Sequence, residues 1–232
     1  AMNPSTNLHA DDSIVSMLDG IDVRCGTHIA SVEEKEDHIL LEDDKGFTYQ
    51  AEAVLLTCPI PQLHAMLQNL APEHWKDFPY ASNWSLVCTG KATVVNNFHD
   101  YTSDSIELIR RGIDHPESNV MIVQMSNTWS KEHLELSREE VTELILNELK
   151  SINSDWLEQA DFHAHRWRFA RPMHQPDRWH HQRITLAGDA WASPVGTIEA
   201  SLKSAEFAAL ELIWKLHSEK KKKPISMQTT LF

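Results

Sequence analysis

The residues best placed to do chemistry lie near the C-terminus, where an acidic turn is followed by a long helix. Residues 183–191 predict a short buried strand that ends in a sharp turn at Gly188 and Asp189. Residues 198–209 predict an alanine-rich helix. A strand that brings a carboxylate to a helix N-terminus can hold a polar, partly anionic ligand, because the first backbone N–H groups of a helix carry partial positive charge.

This segment resembles the closing FAD-binding motif of flavin amine oxidases, and within them that of the renalase-like branch. The resemblance implies that Asp189, in the turn with Gly188, hydrogen-bonds the ribityl and pyrophosphate part of FAD. It also implies that the helix start, with Ile198, Glu199 and Ala200, points its N–H groups at the pyrimidine edge of the flavin. The alternative is an ordinary Gly-Asp turn before a core helix that uses small residues for close packing.

The resemblance continues through the middle of the chain. It implies an adenine contact at Ile29, and it matches residues 53–62 to the family strand that returns close to the dinucleotide. Further on, Arg166, Trp167 and Arg168 resemble the family segment that leads to the flavin, which implies a wall of the substrate cavity. The alternative for these three residues is a solvated arginine pair over a buried tryptophan.

The family opens with a strand and a G-x-G-x-x-G turn that binds phosphate, and this turn is missing here. No three of the seven glycines have that spacing. The chain therefore resembles a flavoenzyme without its first βαβ unit, which puts the affinity for FAD in doubt. Lost sheet strands leave unpaired edges, which promote association. We therefore expect a homo-oligomer, or a separate chain that supplies the missing unit.

The predicted fold class is α/β. It combines part of a doubly wound, Rossmann-like FAD-binding sheet with an antiparallel substrate domain that carries helices. The predicted FAD-binding part comprises residues 1–70 and 183–218, the substrate domain residues 71–182, and a disordered tail residues 219–232. Periodicity and turn residues predict strands at 29–33, 39–42, 47–52, 53–58, 84–96, 105–110, 120–126 and 162–170, and helices at 13–18, at 62–70 and after a capping box at 137–140.

Composition and charge limit the possible partners of the protein and its possible cellular location. A net charge of −13 argues against binding to a nucleic-acid backbone. The sequence offers no signal peptide and no apolar run long enough for a membrane. The three cysteines have no paired spacing and are interpreted as reduced and buried, so the expected location is cytoplasmic. His163 and His165 share a strand face, but no further spacing completes a metal site, so no metal is expected.

The sequence thus predicts part of an FAD-dependent oxidoreductase that acts on a small molecule. In an intact relative, a hydride passes from a reduced amine or a nicotinamide-like substrate to the flavin, which oxygen reoxidises. No side chain is singled out as a catalytic acid or base. The competing hypothesis is a non-catalytic remnant or interaction module that keeps the scaffold without the cofactor.

Overall fold

A computed structural model of the chain describes residues 20–90, 101–111, 120–150 and 160–222. Within them, nine strands form three sheets, and four α-helices and two 3-10 helices cover parts of these sheets. The strands are β1 (Ile29–Glu34), β2 (Ile39–Asp43), β3 (Thr48–Ala51), β4 (Val54–Leu56), β5 (Tyr80–Gly90), β6 (Ile106–Arg111), β7 (Val120–Met125), β8 (Ala160–Pro172) and β9 (Ile184–Leu186). The α-helices are α1 (Ile60–Leu67), α2 (Asn127–Glu132), α3 (Arg138–Lys150) and α4 (Ile198–Lys222), and the 3-10 helices span Gln68–Leu70 and Glu73–Asp77.

The largest sheet is antiparallel, in the order β6-β7-β5-β8. One face is apolar because alternate residues of the strands, such as Trp84 and Leu86 in β5, point toward α3. There they join Val141, Ile145 and Leu149, which recur at helical spacing and are fully buried. The opposite face carries more polar residues and is not covered by these helices. This sheet therefore has one packed face and one face available to a ligand.

A second core joins the remaining two sheets. β1, β2 and β3 form an antiparallel ribbon, whereas β4 and β9 form a parallel pair with Val54 opposite Ile184. Residues of both sheets pack with α1 around the fully buried side chains of Leu63 and Trp75. The combination of a parallel pair, antiparallel sheets and helices confirms the predicted α/β class.

Local signals placed most elements correctly, and the differences have local causes. The Ser137–Glu140 capping box is confirmed, since the Ser137 N–H lies 2.8 Å from Glu140 Oε2 and the Glu140 N–H lies 3.2 Å from Ser137 Oγ. α1 begins at Ile60 rather than at residue 62, because Pro59 precedes the helix and Pro61 fits its first turn. β5 begins at Tyr80, four residues earlier than predicted. The sequence missed α2, which Ser126 caps by accepting from the Trp129 N–H.

The remaining predictions concern segments at the limits of the described residues, the cysteines and membrane-spanning helices. The helix predicted at 13–18 and the part of the predicted strand at 91–96 lie outside the described residues. α4 continues to Lys222, so the first residues assigned to a disordered tail are helical. Cys25 is exposed, which corrects the expectation that all three thiols are buried. Within the described ranges, no helix is long and apolar enough to cross a membrane. The domain boundaries stay predictions.

The packed face of the large sheet makes a stability prediction. Ile145→Ala should lower the free energy of unfolding by about 2–5 kcal/mol, because the side chain is fully buried and its removal leaves a cavity. The matched control is Leu144→Ala on the same helix, where the residue is 37% exposed and the loss should stay below about 1 kcal/mol. Urea unfolding of both variants tests this, and equal losses would contradict the assigned helix face.

Candidate functional site

The two parallel strands end at the same place and open onto a small cavity. The Ala187 N–H donates to the carbonyl of Leu56 at 3.0 Å, so the segments that follow β4 and β9 start side by side. A cavity of about 80 Å³ lies between them, and its walls include Cys58, Tyr80 and Asp189. The crevice at the carboxyl ends of parallel strands is where open α/β sheets bind their ligands.

Ser204 of α4 fastens the Gly188 turn to the helix. The Gly188 N–H donates to Ser204 Oγ at 2.9 Å, and the same oxygen lies 2.8 Å from the Gly188 carbonyl, to which its proton can be donated. Gly188 has a φ of 138°, a conformation that other residues rarely adopt. In a second hydrogen bond, the Gly196 N–H donates to the carbonyl of Asp189 at 3.0 Å. The turn and the start of α4 are therefore held together as one unit.

Asp189 presents a partly buried carboxyl group in this unit. Burial raises its pKa, while hydrogen bonds from its own N–H and that of Ala190 act in the opposite direction. No Lys, Arg or His side chain of the described ranges forms an ion pair with it. Burial, with a smaller effect of the Asp189 charge, raises the pKa of the neighbouring Tyr80 to about 12, so the phenol keeps its proton. The cavity thus offers an acceptor with no cationic partner.

The first turn of α4 differs in part from the expectation. Thr197 caps the helix, because its Oγ1 accepts from the Ala200 N–H at 3.0 Å, so this amide is not available to a ligand. Ala200 itself is fully buried against the fold. Glu199 is exposed and pairs with Lys203 at 2.6 Å, which lowers the pKa of its carboxyl group. An ordinary surface ion pair therefore explains this acid.

A larger cavity lies between the open face of the antiparallel sheet and the start of α4. It has a volume of about 600 Å³, and both Trp167 of β8 and Ile198 of α4 line it. Trp167 is 51% exposed and Ile198 is 82% exposed, so both present apolar surface to this space. The structure therefore brings together two of the predicted site residues that lie 31 positions apart in the chain.

Arg166 and Arg168 lie on the other face of β8, away from that cavity. Arg166 donates to the carbonyl of Leu134 at 2.8 Å and lies over the buried ring of Trp84, 5.7 Å from its centroid. Arg168 makes a bidentate pair with Glu135, at 2.7 and 2.9 Å. The alternative of an arginine pair over a buried tryptophan thus describes their surroundings, with Trp84 in place of Trp167.

Ile29 does not line the cavity at the Asp189 turn. It packs at the edge of the second core and lines a separate cavity of about 430 Å³ on the β1–β3 ribbon. Arg24 and Tyr49 line the same cavity, with the guanidinium carbon 5.8 Å from the ring centroid. The adenine contact implied for Ile29 stays a prediction.

The sequence missed several residues that line the two cavities near the turn. Phe169 lies beside the small cavity with its ring 5.5 Å from that of Tyr80, and it follows directly on the segment already singled out. Glu107, Arg110 and Arg171 line the large cavity. No local signal marks these three, because they come from β6 and β8, which are distant in sequence and form opposite edges of the sheet, and only the folded structure places their side chains around one cavity.

Comparisons with known proteins agree with this architecture. Residues 10–213 match the model of the family of flavin-containing amine oxidoreductases. A search of curated proteins found no match. Among solved structures, a putative protoporphyrinogen oxidase from Exiguobacterium sp. 255-15 is 18% identical with a TM-score of 0.60, and covers 89% of this chain and 51% of its own. A putrescine oxidase bound to putrescine is 14% identical with a TM-score of 0.62, and covers 87% of this chain and 51% of its own.

These structures share the fold at low identity, and the chain spans about half of their length. The family match covers most of the chain and includes the β4–β9 pair, the Asp189 turn and most of α4. The chain therefore belongs to the family of flavin-containing amine oxidoreductases.

Proposed function

We propose that this chain is the substrate-binding portion of an FAD-dependent amine oxidoreductase of the renalase-like branch. The observation that carries the proposal is the unit made by Ser204, the Gly188–Asp189 turn and the start of α4. This unit lies next to the large cavity, which shares Gly196 and Ile198 with it. A flavin held at the unit would therefore face a substrate in the cavity.

The residues present fit one end of FAD. Asp189 supplies an acceptor for ribityl hydroxyl groups, and the positive end of α4 favours negative charge nearby by about 0.3–2 kcal/mol. The adenine and pyrophosphate end has no matching glycine loop among the seven glycines of the sequence. When bound, FAD supplies the acceptor for a hydride from an amine or a reduced nicotinamide-like substrate, with oxygen as the final oxidant.

The protein's own residues would orient the substrate and exclude water. Trp167 and Ile198 form apolar walls of the large cavity. Burial raises the pKa of Tyr80 to about 12, still further above neutral pH than its ordinary value, so the phenol is a neutral group beside Asp189. Neither group is positioned as an acid or base toward the large cavity, so binding and orientation are the roles we assign to this chain.

The exposed side of α4 supports the proposal that a further unit completes the protein. The helix buries small residues, Ala200, Ser204 and Ala208, against the fold. At about 3.6 residues per turn, four of its large apolar residues fall on the opposite half of the helix, and the other two, Phe207 and Trp214, lie at the edge of the buried stripe. These residues, which we call the α4 apolar face, are between 53% and 82% exposed: Ile198, Leu202, Phe207, Leu210, Ile213 and Trp214.

An exposed apolar face of this size is usually covered by another part of the protein or by a partner. It presents several hundred Å² of apolar surface, which is as large as the patches that mark interaction sites. Beside it, β4 and β9 form a parallel pair with no third strand among the described residues. Parallel sheets occur almost only with more strands and with both faces covered. We propose that the occupant is a βαβ unit with a phosphate-binding glycine loop, located outside these 232 residues.

Binding of FAD tests the proposed function. The isolated chain should bind FAD weakly, with a dissociation constant in the micromolar range, because one end of the cofactor finds its contacts. Asp189→Asn should weaken this binding about tenfold, since it removes a charged acceptor. Asp177→Asn, in an exposed segment, is the matched control and should leave the affinity unchanged. Quenching of flavin fluorescence measures all three proteins.

A chain that ignores FAD at millimolar concentration would contradict the flavin proposal. It would favour the alternative, a scaffold that no longer binds the cofactor. Equal affinities of Asp189→Asn and the wild-type chain would leave flavin binding in place but remove Asp189 from the site.

Light scattering tests the α4 apolar face. In the absence of its occupant, the chain should self-associate weakly as its concentration rises toward about 100 μM, because exposed apolar faces find each other. The double variant F207E and L210E should stay monomeric. Phe47→Glu is the matched control, since Phe47 is 64% exposed in the turn between β2 and β3, and this variant should associate like the wild-type chain. A monomeric wild-type chain would contradict the docking surface, and a tight discrete dimer would identify the occupant as a second copy.

A further inference from the structure

The large cavity has a charge opposite to that of the protein. The whole chain carries a net charge of −13. The charged side chains that line this cavity are Arg110, Arg171 and Glu107, which leaves it one positive charge in excess. Lining residues with this balance attract an anion locally, although the rest of the protein repels one.

The two arginines are positioned differently. The guanidinium group of Arg171 lies 3.8 Å from Glu107, at the distance limit of an ion pair. Its aliphatic stem passes directly over Gly196, where an added Cβ would lie 2.7 Å from Arg171 Cδ and would displace it. Gly196 therefore lets the stem of Arg171 cross the segment that leads into α4. Arg110 forms no ion pair within the described part of the chain.

Two of the three amide side chains that line the cavity are already engaged, and the third is that of Gln124. Asn83 Nδ2 donates to the Met125 carbonyl at 2.5 Å, and its Oδ1 accepts from the hydroxyl of Ser85 at 2.6 Å. Asn127 Oδ1 accepts from the Ser82 N–H at 2.9 Å. The two guanidinium groups carry several donors each and are the positively charged groups that line the cavity. A carboxylate is the anion that such planar donors match best, along with phosphate.

The remaining wall favours a flat ligand. Trp167 exposes about half of its surface on the same open face of the sheet. Aromatic side chains provide planar apolar surface for ring stacking. Because Trp167 and the two arginines line one cavity, a ring stacked on Trp167 can present a carboxylate to an arginine.

We infer that the substrate of this site is a planar amine or reduced ring that carries a carboxylate, with Arg110 and Arg171 as the residues that select it. This inference rests on the proposed function, since it names the substrate class of the same cavity. Binding of the ligand needs only residues of this chain, so it can be measured in the absence of FAD.

The test uses a matched pair of fluorescent probes, 2-aminobenzoate and its uncharged amide, 2-aminobenzamide. The wild-type chain should bind the acid at least about tenfold more tightly than the amide, because charge-assisted pairs are the stronger hydrogen bonds. Arg110→Gln and Arg171→Gln should each remove most of this preference. Arg168→Gln is the control on the other face of β8, where the guanidinium group is held by Glu135, and it should keep the preference.

Three results would overturn the inference: equal binding of acid and amide, no binding of either probe, or a loss in Arg168→Gln as large as that in Arg110→Gln. Circular dichroism of each variant separates a loss of binding from a loss of fold. The result is independent of the flavin test. If FAD binds but the acid is not preferred, the proposed function stands and the substrate class is wrong. If the acid is preferred but FAD does not bind, the cavity is a carboxylate site on a chain without flavin chemistry.

Discussion

The hydrogen bonds between Ser204 and Gly188 determine how the rest of the site is arranged. They join the end of the parallel pair to the second turn of α4, and so they fix where the helix begins relative to Asp189. They depend on glycine, because the backbone at Gly188 is in a region that other residues rarely adopt. The hydrogen bond from the Gly196 N–H to the Asp189 carbonyl holds the segment between the turn and the helix in place. This attachment determines where the Asp189 carboxyl group lies in the small cavity and where Ile198 lies at the large one.

The two cores of the molecule differ in how complete they are. The antiparallel sheet has its own helix, α3, and its own buried layer, so one face is fully packed and the other is free to bind a ligand. The parallel pair has a core on one side, around Trp75 and α1, but α4 turns its large apolar residues outward. A helix that buries alanine and serine while it exposes phenylalanine and tryptophan has its main packing partner elsewhere. This asymmetry agrees with a chain that spans about half of the solved structures it resembles.

Much of the fold could be predicted from local patterns. The apolar run before the turn at residues 43–46 indicated β2, and the Ser137–Glu140 box located the start of α3. Alternation also predicted that Arg166 and Arg168 share one face of β8 and that Trp167 points to the other, as the structure has them. It could not predict which of these faces meets the cavity, because that depends on where the distant helices pack. The same limit applies to Arg110 and Arg171, which lie on opposite edge strands and line one cavity only in the folded sheet.

The most direct measurement of the central claim is a crystal structure of the chain soaked with FAD. The account predicts density for the isoalloxazine ring between the Asp189 turn and Ile198, with one face of the ring toward Trp167 and the large cavity. Density for the ring at another surface, or a start of α4 closed by packed side chains with FAD absent at saturating concentration, would contradict it.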